Sequence, residues 1–202
     1  MRVIRIYSQI YCSVKHINST TDIFDLIERM SALIRSEERR KSSVLGLQTV
    51  HLQALDYLSR CNRYSDTPAS LTNYLGMTRG TVSQTLLLLE KKGFIKKTVD
   101  LNDRRKVHLS LLPSGLSVLS ESRAEDLFDQ ARKIFKNDLN KDEAVFVNAL
   151  KALQKANKGQ SFGQCKTCKY FTELSSGFEC ALTKEQLSST DSNKICQEHS
   201  LD

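Results

Sequence analysis

Two stretches of this chain place reactive or ionic side chains at spacings that suggest chemistry. The first lies near the C-terminus, where Cys165-x2-Cys168 is followed by Cys180 after eleven residues and Cys196 after fifteen, with His199 just beyond. Two thiolates two residues apart can share one tetrahedral ion, so the CxxC pair is a chelating half-site. A structural zinc ion and an iron–sulfur cluster both accept four cysteines. The separated second half is a weaker signal than a repeated CxxC, and both cofactors stay open, with Zn2+ slightly favoured. His199 is an alternative ligand; an exposed histidine in a tail is the plainer expectation. Tyr170, Phe171 and Phe178 are placed to cover one side of such a centre.

The second stretch is "DLNDRRKVHL", residues 100–109, in which two acids and three consecutive basic residues precede strict alternation of Val107, Leu109 and Leu111. A period of two marks a half-buried strand. The preceding "FIKKTV" (94–99) reads as a second strand, which puts the charges at the tip of a two-stranded ribbon. Immediately upstream, "PASLTNYLGMTRGTVSQTLLLLEKKGF" reads as a short helix capped by Thr67 and opened by Pro68, a left-handed turn at Gly76, and a second helix after Thr78. Leu71, Leu75, Met77, Val82, Leu86 and Leu89 face inward, leaving Arg79, Gly80, Thr81, Ser83 and Gln84 outside. From Arg79 to His108 there are eight Lys or Arg against three acids.

Helix, glycine turn, helix and basic ribbon make a winged helix-turn-helix. Its second helix can enter a major groove, where Gln pairs with adenine, Arg with guanine, and Thr with phosphate or a thymine methyl. The ribbon tip then reaches a minor groove, whose negative potential attracts Arg104 or Arg105, while Lys106 meets phosphate. Asp103 is two residues from Arg105, close enough to orient its guanidinium. The candidate DNA-binding set is Thr78, Arg79, Thr81, Ser83, Gln84, Arg104, Arg105 and Lys106.

The flanking segments are helical. Ile23, Phe24, Leu26, Ile27, Met30, Leu33 and Ile34 recur at helical spacing after Thr21 and Asp22, and the polar run "RSEERRKSS" is expected to close that helix. A helix over about Leu47–Cys61 follows. Beyond the ribbon, Pro113 opens a helix whose apolar residues continue to Phe135, and Asn140 with Glu143 has capping-box spacing before Phe146, Ala149, Leu150 and Leu153. "QKANKGQSFGQ" reads as a linker. The expected domains are an N-terminal arm (1–19), a winged-helix domain (20–157) and a cysteine-rich metal-binding extension (158–202).

Across roughly residues 22–156 the chain resembles the MarR family of bacterial transcription regulators. The resemblance rests on "LTNYLGMTRGTVSQTLLLLEKKGFIKKTVDLNDRRKVHLSLLPSG", above all on the Asp103-Arg104-Arg105 tip, the alternating Leu109 and Leu111, and Gly115. The family's usual Thr before the next helix is absent; Leu112 and Pro113 stand there. The resemblance implies a mainly α winged-helix fold with flanking dimerisation helices and a small wing. It further implies a homodimer on a pseudo-palindromic operator, regulation of transcription as a repressor, and a small-molecule effector held between the dimer helices and the DNA-binding lobe. The cysteine extension is not a usual part of the family.

Composition agrees with a DNA-binding protein. The net charge is +7, but Gly159–Asp202 holds four Lys against six acids, so residues 1–158 carry +9. No apolar run reaches the roughly 18 residues of a membrane helix, and the first twenty residues lack a signal-peptide core, so a cytoplasmic protein is expected. In that setting clustered cysteines read as ligands rather than disulfides. Cys12 and Cys61 stand alone, and Cys61 fits the apolar face of its helix. There is no phosphate-binding glycine loop and no nucleophile triad, hence no enzyme is expected. The rival readings are a winged-helix protein-interaction adaptor with a structural zinc tail and, more remotely, a CxxC redox enzyme.

Overall fold

The computed structural model describes residues 22–101, 103–123, 127–134, 143–157, 161–175 and 177–201. The arm expected at 1–19, Cys12 and Asn140 of the expected capping box lie outside them. The chain divides into two compact units, residues 1–37 and 38–202. Helix α1 spans Ile23–Val44. The run "RSEERRKSS" does not close it but is helical, because Glu, Arg and Lys are good helix formers. The helix ends only before Gly46, which takes a positive φ of 63°.

In the second unit the core is built around α2 (Thr49–Arg60), whose Leu52, Ala54, Leu55, Tyr57 and Leu58 are all buried. Helix α3 (Pro68–Leu75) begins as its sequence dictates. Thr67 is extended and its hydroxyl accepts from Ser70 N at 3.2 Å, with Pro68 at the first helical position. It stops at Gly76, whose φ of 61° and ψ of 28° a side chain rarely tolerates. Helix α4 (Arg79–Lys91) then starts from Thr78, which accepts from Thr81 N at 3.2 Å, and buries Val82, Thr85, Leu86 and Leu89.

Strands β1 (Ile95–Val99) and β2 (Val107–Leu111) pair antiparallel, with Ile95 opposite Leu111 and Val99 opposite Val107. The ribbon buries Ile95 and Leu109 in the same core as α2, α3 and α4. Each such side chain contributes about 1.5–3 kcal/mol when fully removed from water, so the wing's root is fixed by packing. A polar tie joins it. Leu109 N donates to Asp66 O at 2.7 Å, and the His108 ring lies between Asp66 Oδ1 at 2.6 Å and Asp100 Oδ2 at 3.0 Å.

Helix α5 (Pro113–Arg123) opens at Pro113, the residue by which the chain departs from the family pattern. A Cβ on Gly115 would stand 2.3 Å from the Phe94 carbonyl oxygen, so the helix approaches the wing's root as only glycine permits. The expected long helix continues as α6 (Leu127–Ile134), and α7 covers Glu143–Ala156. Among the described residues no helix is long and apolar enough to cross a membrane.

The extension is not joined to the rest by a loose linker throughout. Ser161 is buried, and the Phe162 ring meets Tyr74 edge-on at 5.4 Å. Beyond it come a 3-10 turn at Cys165–Thr167, an antiparallel sheet of β3 (Phe171–Leu174), β4 (Gly177–Cys180) and β5 (Gln186–Leu187), and the one-turn helix α8 (Ser189–Ser192). The winged-helix architecture expected from the sequence is thus present, with a small β module packed on it.

Two predictions follow from the wing's root. The Asp66 and Asp100 carboxylates raise the His108 pKa, while burial of Asp66 raises its own despite the histidine. The imidazolium therefore stabilises the fold fully below about pH 6.5, and that contribution is lost as pH rises through the higher folded-state value. The melting-temperature deficit of His108→Gln should be largest near pH 6 and shrink at alkaline pH; a deficit independent of pH would remove the charged ring from wing anchoring. Gly115→Ala should destabilise by about 1–3 kcal/mol in chemical denaturation through overpacking.

Candidate nucleic-acid interface

The side chains expected on a DNA face lie at one end of α4 and at the wing tip. Thr78, Arg79, Thr81, Ser83 and Gln84 are all exposed. Their exposure follows from helical spacing, since Val82, Thr85 and Leu86 take the inward positions between them. Thr78 has a double duty. Its hydroxyl caps the helix and lies 3.0 Å from Thr81 Oγ1, so the two hydroxyls present a fixed pair at the helix N-terminus. That end carries a partial positive charge and unpaired N–H groups, which suits a phosphate.

At the wing tip, Asp103 does for Arg105 what their spacing suggests. Its Oδ1 accepts from Arg105 N at 3.1 Å and from Arg105 Nε at 3.2 Å. Asp103 N in turn donates to Asp100 Oδ1 at 2.7 Å, and Lys106 N to Asp103 O at 2.8 Å. The Arg105 side chain is 93% exposed, so this contact adds little stability; its effect is to aim the guanidinium. Arg104 and Lys106 are exposed and form no ion pair among the described residues. Lys97, also on the ribbon, is neutralised by Glu90 at 2.7 Å. Arg104 and Lys106 thus add free positive charge at the tip to that of the exposed Lys96 on the stem.

His108 was not among the residues singled out from sequence, yet with Asp66 and Asp100 it connects the wing's root to its tip. A histidine two residues beyond an Arg-Arg-Lys run, in a strand that pairs back toward Asp100, is the local signal; Asp66 is 42 residues away.

The extension brings its cysteines to one region. Cys168 N donates to Cys165 O at 3.0 Å, which closes the turn carrying the CxxC pair. Cys180 ends β4, and Cys196 follows Ile195, which bridges both Cys61 and Gln164. Cys165, Cys180 and Cys196 line one small cavity with Asn62, Ser65 and Leu187. The Cys165 thiol donates to Cys196, which brings the Cys196 pKa down to about 6 and raises that of Cys165. Cys168 instead accepts from Ser200 N at 3.3 Å. Among the described residues no group of three or more His, Cys, Asp or Glu side chains is placed so that it could hold a metal ion as it stands.

His199 differs from expectation. It is buried rather than exposed, and both ring nitrogens are engaged, Nδ1 by Ser161 Oγ and Nε2 by Thr167 Oγ1 at 2.9 Å. Neither lone pair is left for a metal, so the histidine braces the CxxC turn. Phe171 and Phe178 stack at 5.1 Å over the cysteine cluster as expected, but Tyr170 stands against Lys169 and the lobe supplies Tyr64 in its place. Cys61 is packing: it is buried, and burial pushes its thiol up to about 12.

Comparison with known proteins follows the same outline. Residues 45–106 match the MarR family model. The multiple antibiotic resistance protein MarR of Salmonella typhimurium is 27% identical over 137 residues, which cover 65% of this chain and 94% of that protein. The fold is shared with MepR of S. aureus in its crystal structure with DNA, at a TM-score of 0.52 and 22% identity over 67% of this chain and 99% of that one. It is shared also with a MarR-family transcriptional regulator from Silicibacter pomeroyi, at a TM-score of 0.54 and 22% identity over 65% and 87% of the two chains. The chain therefore shares the winged-helix fold of these proteins, and its similarity to the MarR family lies in residues 45–106, which hold the helix-turn-helix and most of the wing.

Proposed function

We propose that the protein is a sequence-specific DNA-binding regulator of transcription, a repressor that works as a homodimer on a pseudo-palindromic operator. The observation that carries this reading is the pairing, on one lobe, of the exposed α4 side chains with a cationic wing tip in which Asp103 orients Arg105 and Arg104 and Lys106 stay exposed. A helix N-terminus of this kind enters the major groove, where Gln84 has the donor–acceptor pair that matches adenine and Arg79 the fork that matches guanine. Arg104 and Arg105 reach an adjacent minor groove, and Lys106 a phosphate. The crystal structure of the similarly folded MepR with DNA supports the assignment.

The dimer is supported by apolar surface on the flanking helices, each taken by itself. Helix α1 exposes Phe24, Met30 and Leu33, and α7 exposes Phe146, Leu150 and Leu153 at spacings of four and three. Stripes of that size on terminal helices mark surfaces buried by association. Two-fold symmetry then presents two recognition helices to two half-sites.

In a salt-controlled mobility-shift titration with the chain's own genomic DNA, Arg105→Ala should weaken binding uniformly and lower the salt slope, by about one per contact. Gln84→Ala should cost about 1–3 kcal/mol and relax preference at one base position per half-site. Affinity that does not rise as salt falls would instead indicate a protein-interaction adaptor. Light scattering should report a dimer for the full chain and a shift to monomer for Leu150→Glu; a monomeric wild type would remove the two-fold operator from the reading.

A further inference from the structure

We propose that Cys165, Cys168, Cys180 and Cys196 bind one divalent ion of the zinc class as a tetrathiolate, and that this ion clamps the extension onto the loop in front of the helix-turn-helix. The four sulfurs come from three separate segments, the CxxC turn, the end of β4 and the residue after Ile195. Three of them line a single cavity of about 20 Å3. A space of roughly 10–15 Å3 holds one water-sized sphere, so there is room for one ion beside these three sulfurs. At a Zn–S bond of about 2.3 Å, tetrahedral sulfurs sit about 3.8 Å apart, which is van der Waals contact.

An independent observation points to the same place. Asn62 is 1% exposed and its Nδ2 lacks any hydrogen-bond partner, although it lines this cavity beside Cys196. Buried N–H groups are almost always paired. A metal-bound thiolate is the acceptor this donor lacks, as the Ser200 amide already donates to Cys168. Phe171, Phe178, Leu187 and Tyr64 keep water from the cluster. Binding exchanges four thiol protons, released to solvent, for the cation and leaves a formal charge of −2 on the centre. Half-buried Cys168 and Cys180 complete the tetrahedron by side-chain rotation. Four protein ligands leave no open position, so the ion is structural.

The site's neighbours give it reach. Asn62 N donates to Ile195 O and Ile195 N to Arg60 O, both at 2.9 Å, and Gln197 N donates to Ser65 Oγ at 2.9 Å. Gln197 also accepts from Ser70 in the first turn of α3, and Asp66, next to Ser65, holds His108 of the wing. An ion bound by Cys196 thus restrains the loop that leads into α3 and that, through Asp66, touches the root of the wing; this part rests on the DNA-binding reading.

The test uses the full chain, stripped of metal under reducing conditions without oxygen and titrated with Co2+ alone. One equivalent should bind with the strong visible and near-ultraviolet bands of tetrahedral thiolate cobalt, Zn2+ should displace it, and hydrogen exchange should slow at Asn62, Ser65 and Asp66. Cys168→Ser, whose half-buried position keeps the fold, and Cys196→Ser should each weaken binding at least 100-fold, beyond the roughly 10–100-fold of an outer-shell change; Cys61→Ala should not. No cobalt uptake, a brown protein with about four irons and sulfide, or a Cys165–Cys196 disulfide that persists after reduction would overturn the site. Unchanged exchange in the loop would overturn the clamp. Cobalt uptake is read without DNA, so a chain that takes up cobalt and ignores DNA fails only the regulator reading.

Discussion

Most polar groups that the loop from Cys61 to Ser70 buries find partners, Asn62 Nδ2 being the exception, and those partners tie the winged-helix lobe to the extension. Tyr57, fully buried, donates its hydroxyl to Ser65 O at 2.7 Å and so fixes the loop to α2. Ser65 Oγ takes Gln197 from the extension, Thr67 caps α3, and Asp66 takes both the backbone and the ring of the wing's root. An unmade buried hydrogen bond costs about 1–3 kcal/mol, so no one of these can shift alone. The recognition helix, the wing and the β module share a single reference point.

That arrangement reconciles opposite electrostatic needs. The first 158 residues carry +9 and the last 44 carry −2. On the ribbon's stem Lys97 is paired with Glu90 and His108 with Asp66 and Asp100, while Lys96 there and Arg104 and Lys106 at the tip form no ion pair among the described residues. Self-repulsion is therefore relieved where the ribbon must fold against the core and retained where a polyanion would meet it. Asp103 sits at the boundary and gives Arg105 a direction rather than appreciable stability.

The cysteine cluster lies where the β module and the lobe both contribute to a cavity wall. Its cover is assembled from the two parts, Phe171 and Phe178 from the module and Tyr64 from the lobe. The module is small for its own core, and among its described residues Leu187 is the only buried apolar side chain apart from cysteine. Small modules of this kind need either a staple or a host surface, and this one has a host surface already.

What the sequence determined by itself was everything governed by local rules. Thr67, Pro68, Gly76 and Thr78 set the ends of α3 and α4 within a few residues, the period-two alternation at Val107–Leu111 set which face of the wing is buried, and the Asp103–Arg105 spacing set the tip contact. The same local reasoning ended α1 too early, because a polar run is as good a helix as an apolar one when no glycine interrupts it. What only the tertiary structure decided were contacts between residues far apart in the chain: Asp66 with His108, Ser161 and Thr167 with His199, Ser65 and Ser70 with Gln197. A polar side chain's type says that it needs a partner but not which one. The choice belongs to the packing of the apolar core, which brings distant backbone together and leaves each buried donor the acceptor that happens to face it.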